Sequence, residues 1–460
     1  MAGNLILVIL VLSLVAYFVG QAQGRKFVFA GADVDVHSRP VYHGAFVAVW
    51  VGVPALVLVV LWLFLQGAVV DRLILASLPE ALTENASPAQ QQLLLSQIQN
   101  AAAGQFFGEP SPEILAAAER YSAWRDIARW AMVAVAASLA IGGLFLARAR
   151  LAPRFRARQG FERFLSIAMI ASSVVAILTT VGIIGALVFE SWLFFQLVPV
   201  TEFLFGLNWE PQIAIRADQV AGAGAFGAVP VFVGTILIAT IAMAVAVPVG
   251  LFSAIYLTEF ASRRVRSFVK PMMEILAGIP TVVYGFFAVL VVAPAVRAAG
   301  DAVGIPVAPN TALVAGGVMG IMIIPFISSM TDDALNAVPR TMRDGSLAMG
   351  ATQGETITKV LLPAALPGIA GGILLAVSRA IGETMIVLMA AGLIASLHFN
   401  PLDSVTTVTV QIVTLLIGDT AFDNPKTLAA FGLGLSLFVA TLALNVIALR
   451  IVQKYREKYD

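Results

Sequence analysis

Arg379 and Glu383 stand in an otherwise apolar run that begins near Pro367. Helical rise places Arg379 about 18 Å along that run, close to the midplane of a hydrocarbon core about 30 Å thick. An ionised side chain at that depth costs at least about 2.5–3.5 kcal/mol, so it belongs against a pore or a protein neighbour. The i, i+4 spacing sets both residues on one helix face, where they can pair. A guanidinium offers a planar fork of donors that suits a tetrahedral oxyanion, and a nearby carboxylate could hold it between binding events. Thr384 adds a hydroxyl beside them. The same pair could also brace two helices without touching any solute.

A second polar stretch, Asp344 to Pro363, lies between two long apolar runs. Pro339 and Pro363 bracket good helix formers on either side of Gly350, which predicts two short helices broken at the glycine. Leu347, Ile357, Val360 and Leu361 are placed to pack such a hairpin onto membrane helices. Asp344, Ser346, Gln353, Glu355 and Lys359 are placed to face a partner. A rigid hairpin seated in a groove can transmit a push, which a floppy loop cannot. By composition alone, an ordinary amphipathic connector reads the same way.

Other candidates are thinner. Glu274, Pro280 and Tyr284 surround an interruption in an apolar run and are gate or hinge candidates, although Glu274 could equally snorkel to the interface. Gly278, Gly285 and Pro325 read better as packing residues, and Asp332-Asp333 as a solvated flank rather than a metal site. His37, His43 and His398 are scattered and cysteine is absent, so no metal-ligand spacing or thiol chemistry is expected. No Gly-x-x-x-x-Gly-Lys-[Ser/Thr] loop, Leu-Ser-Gly-Gly signature or nucleophile–base–acid set occurs. The chain is not expected to be an enzyme, to bind a cofactor or to bind nucleic acid. Any power must come from another polypeptide.

Composition fixes where these groups sit. Of 460 residues, 59% are hydrophobic and 12% charged, with a mean hydropathy of +0.92. A soluble domain of that size needs far more charge to cover its surface. The expected fold is an all-α integral membrane protein, because apolar runs of about 20 residues suit membrane-spanning helices. About nine such runs occur, near 4–20, 45–66, 127–147, 165–190, 229–256, 271–296, 311–330, 367–396 and 427–449.

Positive charge collects on alternate connections. Arg25, Lys26 and Arg39 fall in 21–44, and six arginines between Arg148 and Arg163 in 148–164. Arg263, Arg264, Arg266 and Lys270 fall in 257–270, and Arg340, Arg343 and Lys359 in 331–366. Arg450, Lys454, Arg456 and Lys458 lie in the tail. The intervening connections lean acidic: Glu202, Glu210 and Asp218 against Arg216, then Asp403, Asp419 and Asp423 against Lys426. This alternation predicts an outside N-terminus, a cytoplasmic C-terminus and a cytoplasmic Asp344–Pro363 segment. Leu5 to Gly20 lacks a preceding Lys or Arg and is followed by Arg25-Lys26, so it is expected to stay as a first span.

Two parts are expected. Residues 1–160 carry three spans and an external segment, 71–126, rich in Ala, Gln and Glu and suited to short amphipathic helices. Residues 161–460 carry six spans and the hairpin, at 340–365.

The spacing within the hairpin carries a resemblance. Importer-type ABC permeases show Glu-Ala-Ala, three residues, Gly, nine residues, then Ile-x-Leu-Pro in a cytoplasmic coupling loop. Gly350, Val360, Leu362 and Pro363 match it, while Asp344-Gly345-Ser346 replaces Glu-Ala-Ala and keeps the first acid. Around it, Asn208-Trp209-x-Pro211, Phe226-Gly227-x-x-Pro230, Gly234-Thr235, Leu276 to Gly285, Leu366 to Gly372 and Arg379 to Thr384 resemble the phosphate-specific ABC permeases. The chain is more similar to their C-type than to their A-type membrane subunit, with an N-terminal membrane extension.

The resemblance implies a type I importer core of six helices in a bacterial inner membrane. It implies partners too: an A-type permease, a pair of ATPases that use ATP and Mg, a periplasmic phosphate-binding protein, and membrane lipid. It places Asp344, Gly350, Glu355, Val360, Leu362 and Pro363 against an ATPase and gives Arg379, Glu383 and Thr384 a role in transport. A permease for sulfate or molybdate is the nearest alternative, and an ion-gradient-driven transporter a more distant one.

Overall fold

A computed structural model describes residues 2–29, 36–79, 88–105, 111–212, 224–417 and 424–455. Of the charges that set the expected orientation, Arg216, Asp218, Asp419, Asp423, Arg456 and Lys458 lie outside these residues. Among the described residues, nine helices are long and apolar enough to cross a membrane. They are Gly3–Phe29, Pro40–Ala76, Pro112–Ala149, Ala157–Leu197, Val229–Phe260, Thr281–Ala302, Ala312–Asn336, Gln353–Ile381 and Pro425–Lys454. Packing divides the chain into two compact units, Met1–Leu178 and Thr179–Asp460. The division falls inside the continuous helix Ala157–Leu197 rather than in the basic stretch before it.

In the first unit, Val47, Val51, Ala55 and Val59 repeat every fourth residue along one face of Pro40–Ala76. They meet Ile9 and Ala16 of the first helix and Met132, Ala136 and Ala140 of Pro112–Ala149. Small residues at such seams let helix backbones approach without hydrophobic force from lipid. Among its described residues, the segment 71–126 is only in part short helix. Pro40–Ala76 and Pro112–Ala149 both run into it, and one short helix, Pro88–Ala102, packs Ile98 against Val70, Ile74, Ala117 and Tyr121. Once a helix has begun, each further residue adds a hydrogen bond, so extending a span is favoured over starting a new helix.

In the second unit, Val229–Phe260 and Ala312–Asn336 form the central crossing. Gly316 and Gly320 lie at that seam; a Cβ on Gly316 would sit 2.8 Å from Ile241 Cβ, and one on Gly320 2.8 Å from Ala242 O. A short antiparallel pairing, Trp209 with Phe226 and Glu210 with Ala225, precedes this pair of helices. Trp209 Nε1 donates to Gln411 Oε1 at 2.9 Å, and Gln411 Nε2 donates to Leu393 O at 2.8 Å. Thr235 Oγ1 accepts from Val408 N at 3.1 Å. Several of the resemblance motifs thus serve as polar joints between distant segments.

Two expected spans are redrawn. The run at 271–296 breaks at Ile279-Pro280, giving a separate helix Arg263–Gly278 and then Thr281–Ala302. Pro280 has no N–H to continue the ladder, and Tyr284 Oη donates to Leu276 O at 2.8 Å, satisfying a carbonyl near the broken end. The run at 367–396 is also two pieces. Its helix begins at Gln353 and ends at Ile381, and Met385–Ala390 forms a separate turn and a half.

Candidate coupling hairpin and intramembrane arginine

The first arm of the hairpin is Arg340–Ala348, started by Pro339, whose fixed φ suits a helix entrance. It ends at Gly350, where φ is +87°. Ala351 N donates to Ser346 O at 3.2 Å, closing the helix end around a left-handed residue that glycine adopts without a Cβ penalty. Thr352 then caps the second arm. Its hydroxyl accepts from Glu355 N at 3.3 Å, and Glu355 Oε2 accepts from Thr352 N at 3.1 Å. Two helical arms broken at the glycine, as the residues predict, are what form.

The second arm does not stop at Pro363. It passes through one wide π turn, Ile357–Leu361, and continues as the span to Ile381. Leu362 N bonds to Ile357 O across that turn, which lets the helix absorb a proline that has no N–H to offer.

Burial sorts the hairpin's apolar residues. Ile357 and Leu361 sit in a cluster with Leu335, Val338, Ala365 and Ile369, and Leu362 packs at its edge. Val360 is half-buried and outside that cluster, and Leu347 is exposed rather than packed. Leu347 and Met349, the latter 90% exposed, crown the turn beside Asp344 and Gly350. Glu355, expected to face a partner, is also committed locally: besides the cap, it takes Lys359 Nζ at 3.2 Å.

Glu259 and Thr356, which the sequence did not single out, tie the hairpin down through Arg343 and through Ser346 and Gln353, two residues expected to face a partner. Arg343 pairs with Glu259, whose side chain is 3% exposed. Gln353 Nε2 donates to Glu259 O at 2.6 Å, and Ser346 Oγ and Thr356 Oγ1 join the arms at 3.0 Å. Asp332 needs correction: it is no solvated flank. Its carboxylate takes Arg266 and Lys270, each at 2.8 Å, Thr258 Oγ1 at 2.7 Å and Asn336 Nδ2 at 2.9 Å. Buried carboxylates need paired charge, and only folding brings these partners together. Arg266 and Lys270, four apart on one face of Arg263–Gly278, are the only sequence signal that could have found it. Asp333 stays exposed.

Within the span, Arg379 occupies the last turn before Ile381 and is exposed. Its guanidinium lies 6.0 Å from the Phe326 ring. Glu383 falls beyond the helix end, so the expected i, i+4 pair does not form. Its carboxylate instead accepts from Met385 N at 3.2 Å and Ile386 N at 3.5 Å, and its carbonyl accepts from Thr409 Oγ1 at 2.8 Å. Thr384 is half-buried at the start of Met385–Ala390. Tyr284 is buried and Pro280 exposed. Glu274 is exposed and lines a cleft with Arg266, Lys270, Ser328 and Asp332. The structure brings Glu274 to the cluster around Asp332 and leaves Arg379 and Glu383 at the far end of Gln353–Ile381. Among the described residues, no three of His, Asp and Glu gather to hold a metal ion.

Comparison with known proteins adds two family models. One, described as a phosphate ATP-binding cassette transporter, matches residues 6–107. The other, described as a binding-protein-dependent transport system inner membrane component, matches residues 246–457. The probable ABC transporter permease protein YqgH of Bacillus subtilis is 33% identical over 296 residues, spanning 64% of this chain and 88% of that protein. The phosphate transport system permease protein PstC of Mesorhizobium japonicum is 32% identical over 246 residues, 48% of this chain and 72% of its own. Among solved structures, a bacterial alginate ABC transporter aligns with a TM-score of 0.45 at 14% identity, covering 65% of this chain and 96% of that one.

Proposed function

The chain belongs to the family of ABC-importer permeases that includes the phosphate transport system permeases, and from that membership we propose that it forms half of a path for inorganic phosphate across the bacterial inner membrane. As a permease subunit it is non-catalytic. A second permease, of the A-type, completes the path. A pair of ATPases below supplies the power, and a periplasmic phosphate-binding protein delivers the anion from outside. Orientation follows the basic connections: N-terminus outside, C-terminus and hairpin inside. Residues 1–160 act as an accessory membrane extension and 161–460 as the permease proper.

The observation that carries this reading is the hairpin. Two capped arms meet at a left-handed Gly350, and an exposed Leu347–Met349 crown projects beyond a base that is buried and ion-paired. A crown of that shape gives an ATPase something to grip, and the fixed base turns the grip into motion. ATPase closure opens the cavity outward, and hydrolysis resets it. Phosphate loses a large hydration energy away from water, so its path needs donors and positive charge. Arg379, exposed and free of Glu383, supplies both through its fork.

The test is labelled phosphate and sulfate uptake by a strain deleted for this gene, complemented with wild type or Arg379→Gln. Restoration of phosphate uptake by wild type alone, with the mutant present in the membrane, supports cargo and residue together. Restoration of sulfate uptake instead reassigns the cargo to another oxyanion. Uptake that does not depend on ATP moves the chain to the gradient-driven class.

A further inference from the structure

We propose that Glu259 transmits movement of the hairpin to the permease body, gripped through its side chain by one arm and through its main chain by the other. This rests on the hairpin being the ATPase contact. Glu259 lies at the end of Val229–Phe260, nearly sealed from solvent, and its carboxylate pairs with Arg343 of the first arm. Gln353 at the start of the second arm donates to its carbonyl at 2.6 Å. The Ser346–Thr356 hydrogen bond at 3.0 Å closes the two arms on each other. The hairpin and the end of this helix are therefore held at one residue from two directions.

The preceding residue extends the connection. Thr258 Oγ1 donates to Asp332 Oδ1 at 2.7 Å, and Asp332 holds Arg266 and Lys270 of Arg263–Gly278. That helix ends at the proline break, where Leu276 O accepts the Tyr284 hydroxyl. Consecutive residues 258 and 259 thus join the hairpin, three helix ends and the break leading into the next span.

Stability is a poor reason for such a pair, since apolar residues of similar volume often do as well or better than a buried ion pair. Direction is a better one. The apolar contacts of Ile357 and Leu361 resist compression, so they pass on a push, but they part easily under tension. An ion pair with one partner in each body also resists separation. It lets the hairpin draw the helix back as well as drive it forward, which a cycle requires.

The experiment uses the complete transporter reconstituted in vesicles, following labelled phosphate uptake and ATP hydrolysis (as ADP formed) in one preparation. Glu259→Gln and Arg343→Gln each keep shape while removing one charge. Each should lower phosphate moved per ATP by about fivefold or more, with the ATPase still bound. The double variant should be no worse than either single one, because both remove one link. Gln353→Ala touches only an exposed side chain, so it keeps the test open if the charge variants do not accumulate; it should lower the same ratio by roughly twofold.

An unchanged ratio in accumulating variants, or single effects that multiply in the double, overturns the assignment of Glu259. A wild-type complex that binds no ATPase sinks the hairpin reading itself, which is a separate result.

Discussion

Arg379 and Glu383 are four residues apart and do not meet. The guanidinium lies over the Phe326 ring, while the carboxylate turns back to the N–H groups of Met385 and Ile386. Helix ends decide this: an i, i+4 pair needs a continuous turn between its members, and the regular helix closes at Ile381. The two charges are therefore held by separate contacts, and substitutions should separate their effects.

Arg379→Gln should lower phosphate uptake by roughly 10- to 100-fold, the worth of a charge-assisted hydrogen bond of about 1.5–3 kcal/mol. Arg379→Lys, which keeps charge but loses the fork, should fall between. Losing the Phe326 contact removes only about 0.5–1 kcal/mol at an exposed site, so the thermal midpoint of the purified complex should stay within a few degrees. A large drop in that midpoint would instead mark Arg379 as a brace between helices.

Glu383 should behave as a cap. Glu383→Gln retains an acceptor for the Met385 N–H and should keep most uptake. Glu383→Leu leaves that N–H unmet, costing about 1 kcal/mol, and should lower the thermal midpoint and uptake together. If Gln proves as inactive as Leu while both fold, the charge itself is used in transport.

Gly350→Ala forces a Cβ into a left-handed turn at a cost of about 1–2 kcal/mol, although space around it is open. The arms should lose their fixed angle and ATP-driven uptake should fall, with Gly350→Asn milder. Unchanged uptake in Gly350→Pro, which cannot adopt φ of +87°, would count against the hairpin's assignment.

Three neighbouring glycines make an internal control. Gly320→Leu must push Ala242 and Val245 aside and should cost at least about 1–3 kcal/mol, seen as loss of folded protein from the membrane. Gly316→Leu meets Ile241 and should act alike. Gly317 has nothing within 4 Å of a Cβ, so Gly317→Ala should be neutral or gain about 0.5–1 kcal/mol from helix propensity.

Local patterns were legible without a structure. Apolar run length alone gave the number of candidate spans found among the described residues and the place of seven of them, because a bilayer leaves no other way to satisfy the backbone. The hairpin was legible for a similar reason: Pro339 and Gly350 act within a few residues of themselves, while the Thr352–Glu355 box emerged only with the structure. Long-range pairing was not. Glu259, Asp332 and Gln411 look like ordinary polar residues until Arg343, Lys270 and Trp209 arrive from 84, 62 and 202 positions away. The effect of each proline depends on its neighbours. Pro280 ends a helix because Tyr284 can satisfy the freed carbonyl, and Pro363 does not because a π turn absorbs it. A sequence fixes where a hydrogen bond is lost; only the packed neighbours determine what replaces it.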